Sequence, residues 1–250
     1  MSTPTHSGGS DTIPLSRPFR WLQRGWDDFR RHELTSIAYG LIVAAGGALL
    51  LALGNHPYFA AACLSGFLLV GPLLTTGLCE LSRLDAHEQT GDFDASLAPL
   101  SRHREALIEF SKTLVTMGVV WFLVSIVTLQ ASFSAPAPGL GDSLWQSALA
   151  QIGAAELLAF FILGGGLAAV VFTLSVVTIP LIIDQDMDAR SAMRQSLAVA
   201  RAHPDLMFIW GGVIVGLVLV GYFTALIGLI VIFPLLGHAT WHAYEDLVER

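Results

Sequence analysis

The sequence predicts an all-α membrane protein: six transmembrane helices as three repeated hairpins, each preceded by an interfacial amphipathic helix. Three observations lead there. The 250-residue chain is 54% hydrophobic and 13% charged, with mean hydropathy +0.64, whereas soluble domains carry about a quarter charged residues. Its apolar residues gather into runs long enough to cross a bilayer, which takes about 20 residues. Its basic residues all fall beside or between the runs at alternate ends, on one side of the expected membrane.

Residues 1–16, rich in Ser, Thr, Pro and Gly, read as a disordered tail. No apolar stretch follows a charged start there, so no cleavable signal peptide is expected. Residues 17–250 read as a single six-span domain. Four runs, 35–54, 58–81, 108–131 and 157–183, are spans by length and composition. The last run, 206–244, would be about 58 Å long as one helix, nearly twice a hydrocarbon core of about 30 Å. It divides into spans at 206–223 and 226–244, although the turn between them lacks strong breakers. With that division all 13 Lys and Arg lie on one side, which the positive-inside rule makes cytoplasmic, together with both termini. The partner implied is the lipid bilayer, with other membrane proteins as further candidates. The net charge of −7 gives no reason to expect nucleic acid, and oligomeric state is open.

An internal repeat supports the count. Proline interrupts three apolar runs, at VGPLL (70–74), TIPLI (178–182) and IFPLL (232–236). A histidine-bearing charged segment precedes each hairpin: RHEL (31–34), RHREAL (102–107) and RAHPDL (201–206). Pro72, Pro180 and Pro234 are expected to kink their helices, because proline lacks the amide donor and crowds the preceding turn. Gly46 and Gly47, the triplet 164–166, and Gly212 with Gly216 suggest close helix packing.

The segment RPFRWLQRGWDDFRRHEL (17–34) spaces Phe19, Leu22, Trp26 and Phe29 as one apolar helix face. Basic amphipathic helices with Trp and Phe lie in the headgroup layer. Arg20, Trp21, Arg24, Trp26, Arg30 and Arg31 are therefore read as an interfacial lipid anchor, with Trp241 and Tyr244 as an aromatic belt at the chain's other end. In GHATWHAYED (237–246), His238, His242 and Glu245 stand at i, i+4 and i+7 and share a helix face. Imidazole with carboxylate suits zinc or iron, so these three are the candidate ligands for a divalent metal or haem. The competing reading is that they simply end a span. Asp184, Asp186 and Asp188 alternate like the start of a calcium loop. That loop then fails, with Ala189 at its sixth position and Gln195 at its twelfth. Asp188 reads instead as the cap of the next helix. No ionisable residue sits near the middle of any expected span, as proton relays and ion-coupled carriers require. No nucleophile elbow, Walker loop or dinucleotide fingerprint occurs in its required context. No catalytic residue is assigned and no enzyme is expected.

GPLLTTGLCELSR (71–83), SVVTIPLIIDQDMDARSAMRQSLAVARAHP (175–204) and FPLLGHATWHAYEDL (233–247) together resemble a bacterial integral-membrane family, domain of unknown function 2189. The resemblance covers about residues 20–248 and implies a bacterial inner-membrane protein, without supplying an activity or catalytic residues. Some members carry a cytochrome c oxidase subunit label. An oxidase subunit I would need histidines deep in its helices for haem and copper, and this chain has none there. The expected function is a non-catalytic membrane-organising or accessory role, with no cofactor. The alternatives are a metal- or haem-binding protein using His238, His242 and Glu245, and a carrier of small or lipidic solutes gated by the proline-bearing helices.

Overall fold

The computed structural model describes residues 14–52, 57–130 and 154–248. Every regular element among them is helical: α1 (Arg17–Arg31), α2 (Glu33–Ala52), α3 (Pro57–Ala86), α4 (Phe93–Arg102), α5 (Arg104–Gln130), α6 (Ala154–Ser175), α7 (Thr178–Gln185), α8 (Ala189–Ala202), α9 (Pro204–Phe223) and α10 (Leu229–Leu247). Among the described residues four stretches are long and apolar enough to cross a membrane: Glu33–Leu50, Arg104–Ser125, Leu158–Gln185 and Pro204–Phe223. The expected spans at 58–81 and 226–244 correspond to α3 and α10, which are not among those four. In α10 only the first half is apolar; the second carries His238, His242, Glu245 and Asp246. Most of the tail expected at 1–16 and of the outer loop at 132–156 lies outside the described residues.

Short helices lead into three of the spanning stretches. α1, α4 and α8 each end on a histidine, His32, His103 and His203, whose amide donates back four residues to Asp28, Pro99 and Val199. The next helix starts at once, with Glu33, Arg104 and Pro204. Asp92 caps the start of α4 through the amide of Ala95. Asp188 caps α8 through the amides of Arg190 and Ser191, as its position implied.

The three prolines behave differently. Through Pro72 and Pro234 the helices run on. At Pro180 the long span is interrupted: α6 stops at Ser175 and α7 starts at Thr178. Pro180 has no N–H for the carbonyl of Val176, which marks the break. Ser196 of α8 fills it. Its hydroxyl donates to the carbonyl of Thr173 (2.9 Å) and accepts the amide of Val177 (3.4 Å). A side chain entering the i→i−4 ladder in this way bends a helix. The carbonyl freed by Pro234 is that of Ile230, and Gly40 of α2 lies directly on it, so that any Cβ at Gly40 would overlap Ile230.

The turn between α9 and α10 falls at 224–228, close to the expected division. The Thr224 hydroxyl accepts the amide of Gly228 (2.9 Å), while Ala225 and Leu226 take positive φ. Leu226 then buries its side chain with Val43 and Leu229, an apolar anchor that offsets a backbone conformation unfavourable to a branched residue.

The glycines correct the sequence reading in part. Gly46, Gly165, Gly166, Gly212 and Gly216 have nothing within 4 Å of where a Cβ would stand. Gly47, against Leu226, and Gly164, against Trp121, do pack closely as expected, and further close approaches occur at Gly25, Gly40, Gly77, Gly91, Gly221, Gly228 and Gly237. Gly40 and Gly46 therefore make a matched pair on one helix. Gly40→Ala should destabilise the protein by about 1–3 kcal/mol, the usual range for overpacking. Gly46→Ala should be neutral or slightly stabilising, since Ala is the better helix former. Thermal unfolding in detergent micelles checks both.

Candidate functional site

α10 is the central strut. α1, α2 and α3 all pack against it, and a buried polar cluster forms where they meet at its C-terminal half. α1 sets the first member. Trp21, Gly25 and Asp28 share its inner face, so a carboxylate is carried inward beside an indole. The side chain of Asp28 is only 5% exposed. A buried carboxylate without partners costs several kcal/mol, and the neighbouring elements supply those partners. His242 Nε2 donates to Asp28 Oδ2 at 2.7 Å. The Ser82 hydroxyl of α3 donates to the same oxygen at 2.7 Å. The guanidinium of Arg31 stands 3.4 Å from Oδ1.

The proton positions then follow in sequence. Ser82 has one hydroxyl proton, and Asp28 takes it. His238 Nδ1, 2.8 Å from Ser82 Oγ, must therefore donate, so His238 Nε2 accepts from the Ser36 hydroxyl at 3.0 Å. At the other end His242 Nδ1 donates to Glu245 Oε2 at 3.0 Å. With carboxylates at both of its ring nitrogens, His242 is placed as an imidazolium. Glu245 also receives Arg24 at 2.7 Å. One chain of hydrogen bonds thus runs from Ser36 on α2 through His238, Ser82, Asp28 and His242 to Glu245.

Around it lie further clamps between α1 and the end of α10. Asp246 accepts from Arg17 (2.9 Å) and from the Trp21 indole (2.8 Å). His32 Nε2 donates to Asp85 at 3.0 Å, its ring stacked 6.5 Å from that of His238. Burial alone would raise the Asp28 carboxyl. The hydrogen bond and charge of His242 and the Ser82 hydroxyl outweigh it and hold Asp28 below the usual carboxylate range.

The metal candidates are only partly brought together. His242 and Glu245 touch, but His238 turns towards Ser36 and Ser82. Among the described residues no group of three or more His, Cys, Asp and Glu side chains is arranged to hold a metal ion. The expected lipid anchor divides in two. Trp21, Trp241 and Tyr244 are enclosed by protein, at 0%, 0% and 1% exposure, and so are not placed to face lipid. Trp21 meets Trp210 edge to face at 5.4 Å, and the Tyr244 hydroxyl donates to Asp184 at 2.6 Å. Arg24 and Arg31 are engaged by carboxylates. Arg20, Trp26 and Arg30 remain exposed.

Sequence reasoning missed Asp28, Ser36, Ser82, Asp85 and Asp246. A signal for Asp28 was present: it falls on the same helix stripe as Trp21 and Gly25, where a lone acid demands a partner.

A family model described as "Predicted integral membrane protein (DUF2189)" matches residues 59–184, half of the sequence. The chain belongs to that family. It is thus an integral, multi-pass membrane protein. The match is narrower than the resemblance read from the sequence and ends before the 233–247 motif and the polar cluster's α10 residues. No curated protein matches. No solved structure matches either.

Linkage gives this DUF2189 protein a defined acid response. With Asp28 lower in the folded than in the unfolded state, its contribution is present above the unfolded carboxylate pKa of about 4 and is lost as pH falls through the folded value. Asp28→Asn should cost about 3–5 kcal/mol at neutral pH, the usual penalty for breaking a buried pair, and should flatten the acid side of the stability profile. Unfolding midpoints measured from pH 3 to pH 7 check both effects.

Proposed function

We propose that the protein is a non-catalytic organising or accessory component of the bacterial inner membrane, with six spans and both termini cytoplasmic. It is built as a ring of three units, each a connecting helix followed by a hairpin whose second member carries proline. Three features support the ring. The histidine caps recur at the same place in each unit. Seven residues before each cap stands a small residue, Gly25, Ser96 or Ser196, at a helix crossing. Each of these meets the proline-bearing segment of the preceding unit: Gly25 against α10, Ser96 against Gly77 of α3, Ser196 against the break before Pro180.

The observation that carries the functional reading is the closed character of the polar cluster. Each ring nitrogen of His238 and His242 is engaged by a protein group, and the cluster bridges α1, α2, α3 and α10. That arrangement fastens helices together. The other readings are a metal or haem protein using His238, His242 and Glu245, for which the His242–Glu245 contact is the supporting feature, and a carrier of small or lipidic solutes.

An absorption spectrum with elemental analysis, on protein purified gently from native membranes, separates the first two. The proposal expects no Soret band and no stoichiometric zinc or iron, with His242→Ala lowering thermal stability. Stoichiometric metal or haem that disappears in His238→Ala and His242→Ala would overturn it in favour of the metal site.

A further inference from the structure

The connecting helices carry a second repeated feature, on a different side from the packed small residue. Counting back from each capping histidine, position six is Trp26, Leu97 or Leu197, and position ten is Leu22, Phe93 or Met193. Two large apolar side chains thus recur one helical turn apart in all three helices, a ridge on one face. At position ten, Leu22 and Met193 are partly buried against the core, so the free part of the ridge is position six, with Phe93 beside it on α4. α1 already buries Pro18, Trp21, Gly25, Asp28 and Phe29, and α4 buries Ser96 and Pro99. Trp26 is left 42% exposed, Phe93 39% and Leu97 37%. On α8 Met193 and Leu197 are half-buried. The row on α4 extends to Leu100, and Phe19 extends the row on α1, stacked aromatic contact continuing inward from Trp26 to Phe29.

What covers this ridge follows from where it stands. Each connecting helix is separated by a single histidine from a stretch apolar enough to span the membrane: Glu33–Leu50, Arg104–Ser125 and Pro204–Phe223. Six to ten residues of helix before that histidine reach about 9–15 Å, which keeps the ridge beside the end of the hydrocarbon layer. Leu34, the second residue of α2, is 86% exposed and continues the apolar surface towards the span. Exposed Arg20 and Arg30 flank the α1 ridge, and Arg104 follows that of α4, with Asp27 and Glu33 interspersed. Mixed charge beside aromatic and aliphatic groups fits the headgroup layer.

We propose that Trp26 on α1, with its counterparts Phe93 and Leu97 on α4 and the half-buried Leu197 on α8, beds at the boundary between headgroups and acyl chains, while Leu22 and Met193 hold the inner edge of the ridge to the core. The three connecting helices then form a collar. Their inner faces hold the bundle, and their outer faces contact lipid. The inference rests on the chain being an integral membrane protein and not on the absence of metal, so the two proposals fail separately.

Trp26 is the exposed indole among the described tryptophans; Trp21, Trp121, Trp210 and Trp241 are buried. The full chain is reconstituted into phosphatidylcholine vesicles containing lipid brominated near the headgroup. Its emission is compared with that of Trp26→Phe, and with Leu97→Trp made in the Trp26→Phe background. Collisional quenching by aqueous acrylamide is measured in parallel. The collar predicts that brominated lipid lowers the Trp26 and Leu97→Trp emission by about twofold or more, with weak acrylamide quenching, as for indoles in the interfacial layer. Strong acrylamide quenching without lipid quenching would place the ridge in water and overturn the proposal. Insensitivity to both quenchers would overturn it in favour of a protein partner or a second copy. A circular dichroism spectrum matching the parent keeps the Leu97→Trp result interpretable.

Discussion

The structure depends on how one carboxylate is received. Asp28 is carried inwards by the helical stripe it shares with Trp21 and Gly25, and its burial is unfavourable unless partners are in place. Those partners come from three other helices. Ser82 on α3 and His242 on α10 bond it directly, and His238 and Ser36 fix the hydroxyl of Ser82. The cluster therefore forms as a unit, and a partly satisfied version would be worse than an apolar one. That all-or-none character is what allows a short helix, far apart in sequence from α10, to find a single register against it.

The proline-bearing helices show the same logic in backbone form. A proline in a helix leaves a carbonyl without its donor, and in lipid that carbonyl has no water to turn to. Gly40 brings α2 against the freed carbonyl of Ile230, and the Ser196 hydroxyl enters the broken ladder before Pro180. At these two places the weak point of one helix becomes the docking point of another. In the proposed ring this couples every unit to the next, and α1 closes the circuit on α10, where the polar cluster sits.

Much of this was legible in the sequence and some was not, for physical reasons. Apolar run length located the four spanning stretches, and proline spacing pointed to the places where helices join. Asp188 declared itself as a cap. The turn at 224–228 fell where length alone put it, although its chemistry, a threonine hydroxyl and two non-glycine residues at positive φ, could not be read. Trp241 and Tyr244 resembled an interfacial belt because aromatic residues near a span's end serve either role. Only the packing of α1 and α7 against them settles that they are core. The GxxxG pair 212 and 216 had the right spacing but the wrong face. His238 and His242 share a stripe, yet a stripe does not say where the rings turn. That was decided by Asp28 and Ser82, more than 150 residues away in the chain.

The central claim is the directed hydrogen-bond chain through Asp28, and nitrogen NMR of the histidine rings tests it most directly. The protein is labelled with ¹⁵N-histidine, studied in lipid at neutral pH, and assigned by His238→Gln and His242→Gln. The account predicts one fully protonated imidazolium, lost with His242, and one neutral ring protonated only at Nδ1, lost with His238. A neutral His242, or a His238 protonated at Nε2, would contradict it.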